Sequence, residues 1–286
     1  MFVMALRRLL SGIVSITEPN VTQKPAPLET VHVGGFNTVR ADRTELAKWM
    51  TAYCFAARGG EIPPAILFSS NGQGLALQGK NADYDAAMAA ADVIHADGMP
   101  VVFASRVLTK KGIRGRSATT DLFHDVAREA VANGLKFYVL GAKEDQNQRA
   151  TEAMQRLYPG LQVVGRRNGY FGPDNDAEVC ANIVASGADV LWVALGKPKQ
   201  EIWCHRNRDR LTGIGCIKTC GGLYAFLAGD VARAPDWMQS LGLEWLFRLL
   251  GDPKRLFKRY LVTNMQALWM LATQTGSGKP VGENAI

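Results

Sequence analysis

Three polar residues follow the most apolar run of this chain and could bind a ligand. The run Asp189–Leu195 is rich in β-branched and aromatic residues, which predicts a buried parallel strand. The loop after it begins at Gly196 and contains Lys199, Gln200 and Glu201. Ligands of open α/β sheets bind at this end of the strands. We therefore predict that these four loop residues bind a ligand, with a solvated turn as the alternative.

Asp97 is the candidate for acid–base chemistry. It follows the short apolar run Val93–Ala96 and precedes Gly98, which would let a substrate approach the backbone. A carboxylate in that place can act as a general base. The alternative is an ordinary Asp-Gly turn, which is the commoner fate of this pair. His95 would share the face of Asp97 on a strand, and we predict a core histidine there in preference to a catalytic one.

Other predicted strands also end in residues that could contact a ligand. The strand Ala65–Phe68 is predicted to end in a polar turn in which Ser69 and Asn71 could bind sugar hydroxyls or phosphate. A helix-capping turn is an equally good interpretation of the two residues. Gly141 follows the strand Lys136–Leu140 and indicates a close approach of backbone to ligand.

Two further sites each have a structural alternative. Tyr170 and Phe171 lie on a turn flanked by glycines, where a base or a sugar could stack, although packing at the rim of the domain is the alternative. Arg116 precedes the helix predicted from Asp121 and could hold a phosphate. A solvated basic loop is the alternative there.

The segment after Pro235 mixes bases with aromatic and aliphatic residues and has no strand pattern. Bases recur near helical spacing at Arg248, Arg255 and Lys258 or Arg259. Basic aromatic helices suit an anionic membrane surface, and several guanidinium groups together can hold a diphosphate. The alternative is a pair of core-packing helices with a solvated basic face.

The composition limits the class of protein. The 286 residues include 33 Lys and Arg against 26 Asp and Glu, a net charge of +7, which favours an anionic partner. With 47% hydrophobic residues, the chain can form a sizeable core. Five cysteines without a Cys-x-x-Cys motif indicate reduced thiols in a cytosolic protein, with neither a zinc site nor a disulfide framework.

Strands alternate with helices over most of the chain, which predicts βαβ units. We expect an α/β fold with a Rossmann-like, mostly parallel sheet flanked by helices and a C-terminal helical appendage. The absence of Gly-x-Gly-x-x-Gly and of a P-loop weighs against a dinucleotide dehydrogenase and a nucleoside triphosphatase. The predicted divisions are a lead segment and linker, the α/β domain, the appendage and a flexible tail, over residues 1–30, 31–236, 237–275 and 276–286.

The order of these motifs resembles the WecG/TagA/CpsF family of bacterial glycosyltransferases over about residues 31 to 265. The motifs in question, in chain order, are Asp97-Gly98, Gly169-Tyr170-Phe171, Gly196 to Glu201, Arg233-Ala234-Pro235-x-Trp237, Glu244-Trp245-x-x-Arg248 and Pro253-x-Arg255. The resemblance implies an inverting, metal-independent enzyme without a cofactor. Such an enzyme transfers a hexose from a UDP-sugar to a sugar on undecaprenyl diphosphate. N-acetylmannosamine and glucose both remain open as the transferred sugar.

The resemblance also implies roles for individual residues. Asp97 becomes the catalytic base, and Ser69 belongs to the catalytic group in place of the family's threonine. The implied donor-binding residues are Asn71, Gly141, Tyr170, Phe171, Gly196, Lys199, Gln200 and Glu201. The residues implied to bind the acceptor diphosphate are Arg116, Arg248, Arg255, Lys258 and Arg259. The chain departs from the family where Thr119 replaces a usual glycine.

The expected partners are the UDP-sugar, the polyprenyl-diphosphate-linked acceptor and an anionic membrane surface. We expect a cytoplasmic protein, peripheral on the inner face of the cell membrane, that does not bind nucleic acid and could form homo-oligomers. The alternative is a non-catalytic basic protein that associates with a membrane or with nucleic acid.

Overall fold

The computed structural model describes residues 23–276. The predictions for the lead segment up to residue 22 and for the tail from residue 277 therefore lie outside the described residues. Within the described part, a six-stranded sheet forms the centre of the fold, and a two-stranded hairpin lies apart from it.

All neighbouring strands of the central sheet are parallel, and their order is β4-β3-β8-β7-β5-β6. The hairpin strands β1 and β2 are antiparallel. This architecture confirms the predicted α/β, Rossmann-like fold. The strands are β1 (Thr30–Val33), β2 (Phe36–Val39), β3 (Ala65–Ser70), β4 (Val93–Ala96), β5 (Lys136–Gly141), β6 (Gln162–Arg167), β7 (Val190–Ala194) and β8 (Cys216–Thr219).

Helices cover both faces of the sheet, and the sheet separates two hydrophobic cores. One core packs α1, α5, α6 and α9 on the sheet, and the other packs α2, α3, α4, α7, α8 and the end of α12. Among the described helices, none has the length and apolar character needed to cross a bilayer. The helices are α1 (Arg43–Ala57), α2 (Gly72–Leu77), α3 (Ala82–Ala89), α4 (Met99–Leu108), α5 (Thr119–Asn133), α6 (Glu144–Leu157), α7 (Asp176–Ala185), α8 (Lys199–Asn207), α9 (Leu223–Leu227), α10 (Asp236–Ser240), α11 (Glu244–Gly251) and α12 (Pro253–Thr273).

Local signals set several of these boundaries. Asp42 begins α1 through a capping box, in which its carboxylate accepts from the backbone of Glu45 while the Glu45 side chain accepts from the Asp42 N–H. Gly134 ends α5 in the left-handed conformation, as predicted, because a glycine adopts φ 64° without a steric penalty. The break before Pro253 separates α11 from α12, also as predicted.

Three features differ from the sequence prediction. Ser69 belongs to β3 and is not in a polar turn, because its backbone continues the parallel pairing with β4. Helix α4 begins directly after Gly98, where Pro100 is tolerated in the first turn because that position needs no N–H donor. Strand β8 was not predicted, since it is only four residues long and contains Lys218.

The end of α12 packs against the hairpin. The N–H of Gly35 donates to the carbonyl of Gln274 at 2.9 Å, and the N–H of Gly276 donates to the carbonyl of His32 at 3.1 Å. Leu271 is 5% exposed and belongs to the core on that face of the sheet. The last long helix is therefore held at its C-terminal end by the first strands of the fold.

Ala142 adopts a strained backbone conformation, and we predict that Ala142→Gly stabilises the protein. Its φ of 58° lies in the left-handed region, which costs a residue with a Cβ about 1 kcal/mol. Relief of this strain outweighs the greater entropy of glycine in the unfolded chain. Urea unfolding should show a gain of up to about 1 kcal/mol.

The matched control is Ala52→Gly, at an exposed position in the middle of α1. It should lose about 1 kcal/mol, because glycine is a poor helix former. Equal losses in the two variants would contradict the assignment of strain to Ala142.

Candidate active site at the carboxyl edge of the sheet

Asp97 lies at the end of β4 and is held by groups from two other elements. The Asn71 Nδ2 donates to Asp97 Oδ2 at 3.0 Å, and the backbone N–H of Thr119 donates to Asp97 Oδ1 at 2.7 Å. Ala118 provides no side-chain cap for α5, so the Asp97 carboxylate takes that role at the positive end of the helix. Each carboxylate oxygen retains a lone pair for a further donor.

These contacts keep Asp97 ionised. Burial alone would raise the pKa of Asp97, but His95, the Asn71 amide, the Thr119 N–H and Lys218 outweigh it and lower the pKa to about 2. Asn71 is fixed in turn, because its Oδ1 accepts from the Gly74 N–H at 3.1 Å and begins α2. The capping interpretation of Asn71 is therefore confirmed, and the same side chain orients the carboxylate.

Two basic side chains are fully buried next to Asp97. Lys218 donates to the carbonyl of Thr219, and its Nζ lies 3.5 Å from the hydroxyl of Thr119. Burial lowers the pKa of Lys218 to about 8 and that of His95 to about 3. Neither ring nitrogen of His95 has a hydrogen-bond partner among the described residues. Its complete burial agrees with the predicted core histidine.

The loop after β7 is tied into the sheet through buried side chains. Gln200 Oε1 accepts from the backbone N–H groups of Gly196 and Gly221, both at 3.2 Å, and Gln200 Nε2 donates to Glu201 at 2.9 Å. Gln200 and Glu201 are 1% and 0% exposed. The alternative of a solvated turn is therefore wrong for these two residues. They lie in the first turn of α8 and fix the conformation of the loop that precedes it.

The buried lysine of this loop is Lys197, which the sequence analysis missed. Its Nζ donates to the Ser69 carbonyl at 3.0 Å and to Glu201 Oε1 at 2.9 Å. Burial would lower the pKa of Lys197, but the Glu201 carboxylate outweighs it and the pKa rises above its ordinary value. The spacing of four residues to Glu201 was the available signal. Lys199, which was predicted to bind the ligand, is exposed at the start of α8.

The two aromatic residues of the predicted stacking turn differ in environment. Tyr170 is 73% exposed, whereas Phe171 packs edge-on against Trp203 with ring centroids 6.2 Å apart and lies under the Arg167 guanidinium. Rim packing thus describes Phe171, and Tyr170 is free to meet a ligand. Gly141 is required by packing, because a Cβ there would lie 2.3 Å from the Ala194 carbonyl oxygen.

Arg116 joins the α/β unit to the C-terminal helices. Its guanidinium pairs with Asp121 at 3.2 Å and with Glu244 at 3.3 Å, and it donates to Gln239 at 2.9 Å. Arg233 pairs with the same Asp121. The Arg116 side chain is only 13% exposed, so the alternative of a solvated basic loop is wrong.

The predicted bases of the C-terminal helices lie at different depths. Arg248 is half-buried, and its guanidinium lies 4.9 Å from the centroid of the Phe226 ring, near the loop that follows β8. Lys258 is exposed. The side chains of Arg255 and Arg259 lie outside the described part of the structure. Nowhere in residues 23–276 do three or more His, Cys, Asp or Glu side chains form a group that could hold a metal ion.

Ligands of open parallel α/β sheets bind at the carboxyl edge, so the ionised carboxylate and fixed amides at these strand ends make this edge the candidate active site of an α/β enzyme. The chain belongs to the glycosyl transferase WecG/TagA/CpsF family, whose sequence pattern matches residues 31–280. The resemblance inferred from the motifs is thereby confirmed. The protein is a glycosyltransferase of cell-surface polysaccharide synthesis, and the family suggests a sugar-nucleotide donor and a lipid-linked acceptor.

We predict that the difference in stability between Lys218→Met and the wild type depends on pH. The unfolded chain binds the Lys218 proton up to its ordinary pKa of 10.5, whereas the folded chain releases it near 8. Between these values the unfolded state holds more protons, so the wild type gains stability as the pH rises. At the lower end of this range the charged, buried lysine makes the wild type less stable than the methionine variant. This difference in the free energy of unfolding should shrink by up to about 3 kcal/mol as the pH rises through the range.

Urea unfolding of both proteins at several pH values between 8 and 10.5 measures this change. Other titrating groups, including Lys197, are common to both proteins and cancel in the difference. The control Lys48→Met removes an exposed positive charge and leaves Lys218 in place, so it should not reproduce the change expected for Lys218→Met. A constant difference for Lys218→Met would contradict a neutral Lys218 at high pH.

Proposed function

We propose that this glycosyltransferase moves a hexose from a UDP-sugar to a sugar carried on undecaprenyl diphosphate, with inversion and without a metal ion. The observation that supports it is the Asp97 carboxylate, held ionised between Asn71 and Thr119 at the edge where ligands of such sheets bind. In a single displacement, the acceptor oxygen bonds to the anomeric carbon as the bond to UDP breaks. The hydroxyl proton passes to Asp97, and UDP leaves with the electron pair.

The donor would lie across the ends of β3, β5 and β7. Tyr170 is exposed there and could stack on the uracil or ribose. Lys199 could meet the diphosphate as negative charge develops on the departing UDP. Gln200 and Glu201 are buried, so they would support donor binding indirectly by fixing the conformation of the loop. The remaining donor contacts that we propose are Asn71, Gly141, Phe171 and Gly196, and we propose that Ser69 belongs to the catalytic group with Asp97.

The acceptor would approach from the C-terminal helices. Arg248 extends over the loop that follows β8, and Arg116 lies between that region and α5. Guanidinium groups suit a diphosphate because each can donate two parallel hydrogen bonds to one phosphate group. We propose that Arg116 and Arg248 hold the lipid diphosphate together with Arg255, Lys258 and Arg259.

The outer surface of these helices supports contact with a membrane. The segment from residue 237 to 269 exposes large apolar side chains next to its bases, which is the composition of a helix lying in a membrane interface. We propose that the protein binds peripherally to the cytoplasmic face of the membrane, where its acceptor is anchored. The apolar residues more than half exposed are Trp237, Leu241, Leu250, Phe257, Leu261, Met265, Leu268 and Trp269.

We predict that exchanging the side chains of Asp97 and Asn71 abolishes transfer without unfolding the protein. In the double variant Asn71→Asp/Asp97→Asn, the residue at position 71 still accepts from Gly74, and the residue at 97 still accepts from Thr119. The hydrogen bond between the two positions also persists with its donor reversed. Net charge is unchanged, but the carboxylate has moved. Turnover of the UDP-sugar should fall by roughly 10²- to 10⁴-fold, the usual contribution of a general base.

The single variant Asp97→Asn is the comparison for the double variant. It places an amide opposite the Asn71 amide, so it should lose both stability and activity, whereas the double variant should recover stability alone. Thermal unfolding and UDP release separate these effects. Turnover within tenfold of wild type in the double variant would remove Asp97 from the mechanism.

We predict that the bases of the C-terminal helices attach the protein to anionic vesicles. Replacing Arg248, Arg255, Lys258 and Arg259 with Gln should reduce sedimentation with such vesicles, since each base near an anionic leaflet contributes about 1 kcal/mol. Turnover on the lipid-linked acceptor should fall too, while donor binding measured by calorimetry should persist.

The control removes four exposed bases from the α/β unit and keeps the C-terminal helices intact. It should sediment like wild type if location, and not net charge, decides attachment. Equal losses in both variants would show a non-specific charge effect and contradict the proposed membrane face. The four control residues are Lys48, Arg128, Arg156 and Arg210.

A further inference from the structure

Lys218 occupies a position where a charged side chain destabilises the folded protein. It lies in the interior strand β8, opposite Leu67 of β3 and Trp192 of β7, and it is fully buried. A charged ammonium in such a place costs several kcal/mol unless another charge compensates for it. An apolar residue would fill the same space without that cost, so the lysine calls for an explanation beyond packing.

Thr119 connects this lysine to the candidate base. Its hydroxyl lies 3.5 Å from Lys218 Nζ, and its backbone N–H donates to Asp97 Oδ1 at 2.7 Å. Lys218 and Asp97 thus contact the same residue, in the first turn of α5, through its hydroxyl and its backbone N–H respectively. His95 is on the same face of the sheet as Asp97 and is also fully buried.

The other ionisable groups near Lys218 do not compete with Asp97. The thiol of Cys220 stays protonated because burial raises its pKa to about 12, and His95 stays neutral because burial lowers its pKa to about 3. Lys197 and Glu201 form an ion pair with each other and nearly cancel. Asp97 is therefore the anion that compensates Lys218, and Lys218 is the adjacent cation that remains near neutral pH.

We propose that Lys218 is a positioning residue whose charge adjusts the strength of Asp97 as a base without touching the substrate. This inference rests on the proposed function, in which Asp97 takes the acceptor proton. With Lys218 protonated, the carboxylate is fixed and ionised but is a weak base. When Lys218 loses its proton, Asp97 binds a proton more tightly and becomes the stronger base. The transfer rate should follow the protonation state of Lys218.

The first experiment needs no activity. Lysine labelled with ¹³C at the ε-carbon reports the titration of Lys218 by NMR, with the signal assigned from its absence in Lys218→Met. In the double variant Asn71→Asp/Asp97→Asn, the anion moves away from Thr119, so the Lys218 midpoint should fall from about 8. The control variant Lys48→Met changes an exposed lysine and should leave the Lys218 midpoint where it is in the wild type. An unchanged Lys218 midpoint would overturn the proposal.

The second experiment measures the transfer rate against pH. For the wild type, kcat/KM for the acceptor should rise roughly tenfold through an inflection near the Lys218 midpoint of about 8. Lys218→Met should lose that inflection and keep its affinity for UDP, and Lys48→Met should behave like wild type. The same inflection in Lys218→Met would overturn the role in catalysis.

The two experiments separate failure of this inference from failure of the proposed function. If the wild type released no UDP from any UDP-hexose, the proposed reaction would be wrong, yet the NMR titration would still decide whether Lys218 and Asp97 are coupled. If Lys218→Met did not fold, Lys218→Gln would replace it both in the rate measurement and in the assignment of the NMR signal.

Discussion

The site depends on how charge is buried at the carboxyl edge of the sheet. Lys218 and Glu201 are fully inaccessible, Lys197 is nearly so, and Asp97 is half-buried. An uncompensated charge in such surroundings costs several kcal/mol, so each group must be paired or neutralised. Lys197 and Glu201 compensate each other by direct contact. Lys218 makes no direct ion pair within residues 23–276, and its burial therefore leaves its proton weakly held.

The groups that compensate these charges come from different strand ends, and this fixes the loops relative to one another. Lys197, after β7, donates to the carbonyl of Ser69 in β3, and Gln200, in the first turn of α8, accepts from the backbone N–H of Gly221 after β8. Asp97, after β4, bonds to the side chain of Asn71 after β3. The ends of four parallel strands are thus held in one arrangement before a ligand arrives, which lowers the reorganisation needed during reaction.

The sequence predicted those parts of the site that follow from strand ends. Parallel strands end at one edge, so polar residues after apolar runs were expected to meet, and Asp97 and Asn71 do. Lys218 could not be found in this way, because a charge inside a four-residue strand hides the apolar pattern that identifies it. Lys197 was not singled out for another reason. Pattern alone does not tell that its side chain turns inward and pairs with the buried Glu201 carboxylate.

Helix α12 has an inner and an outer surface with opposite requirements. Leu256, Ala267 and Leu271 point inward and are almost inaccessible, whereas Trp269 is 68% exposed. Truncating the chain before this helix would uncover core side chains around Gly34 and lead to aggregation. A form suited to crystallisation in the absence of detergent should therefore be made by replacing outward-facing apolar residues with polar ones, one at a time, along an intact helix.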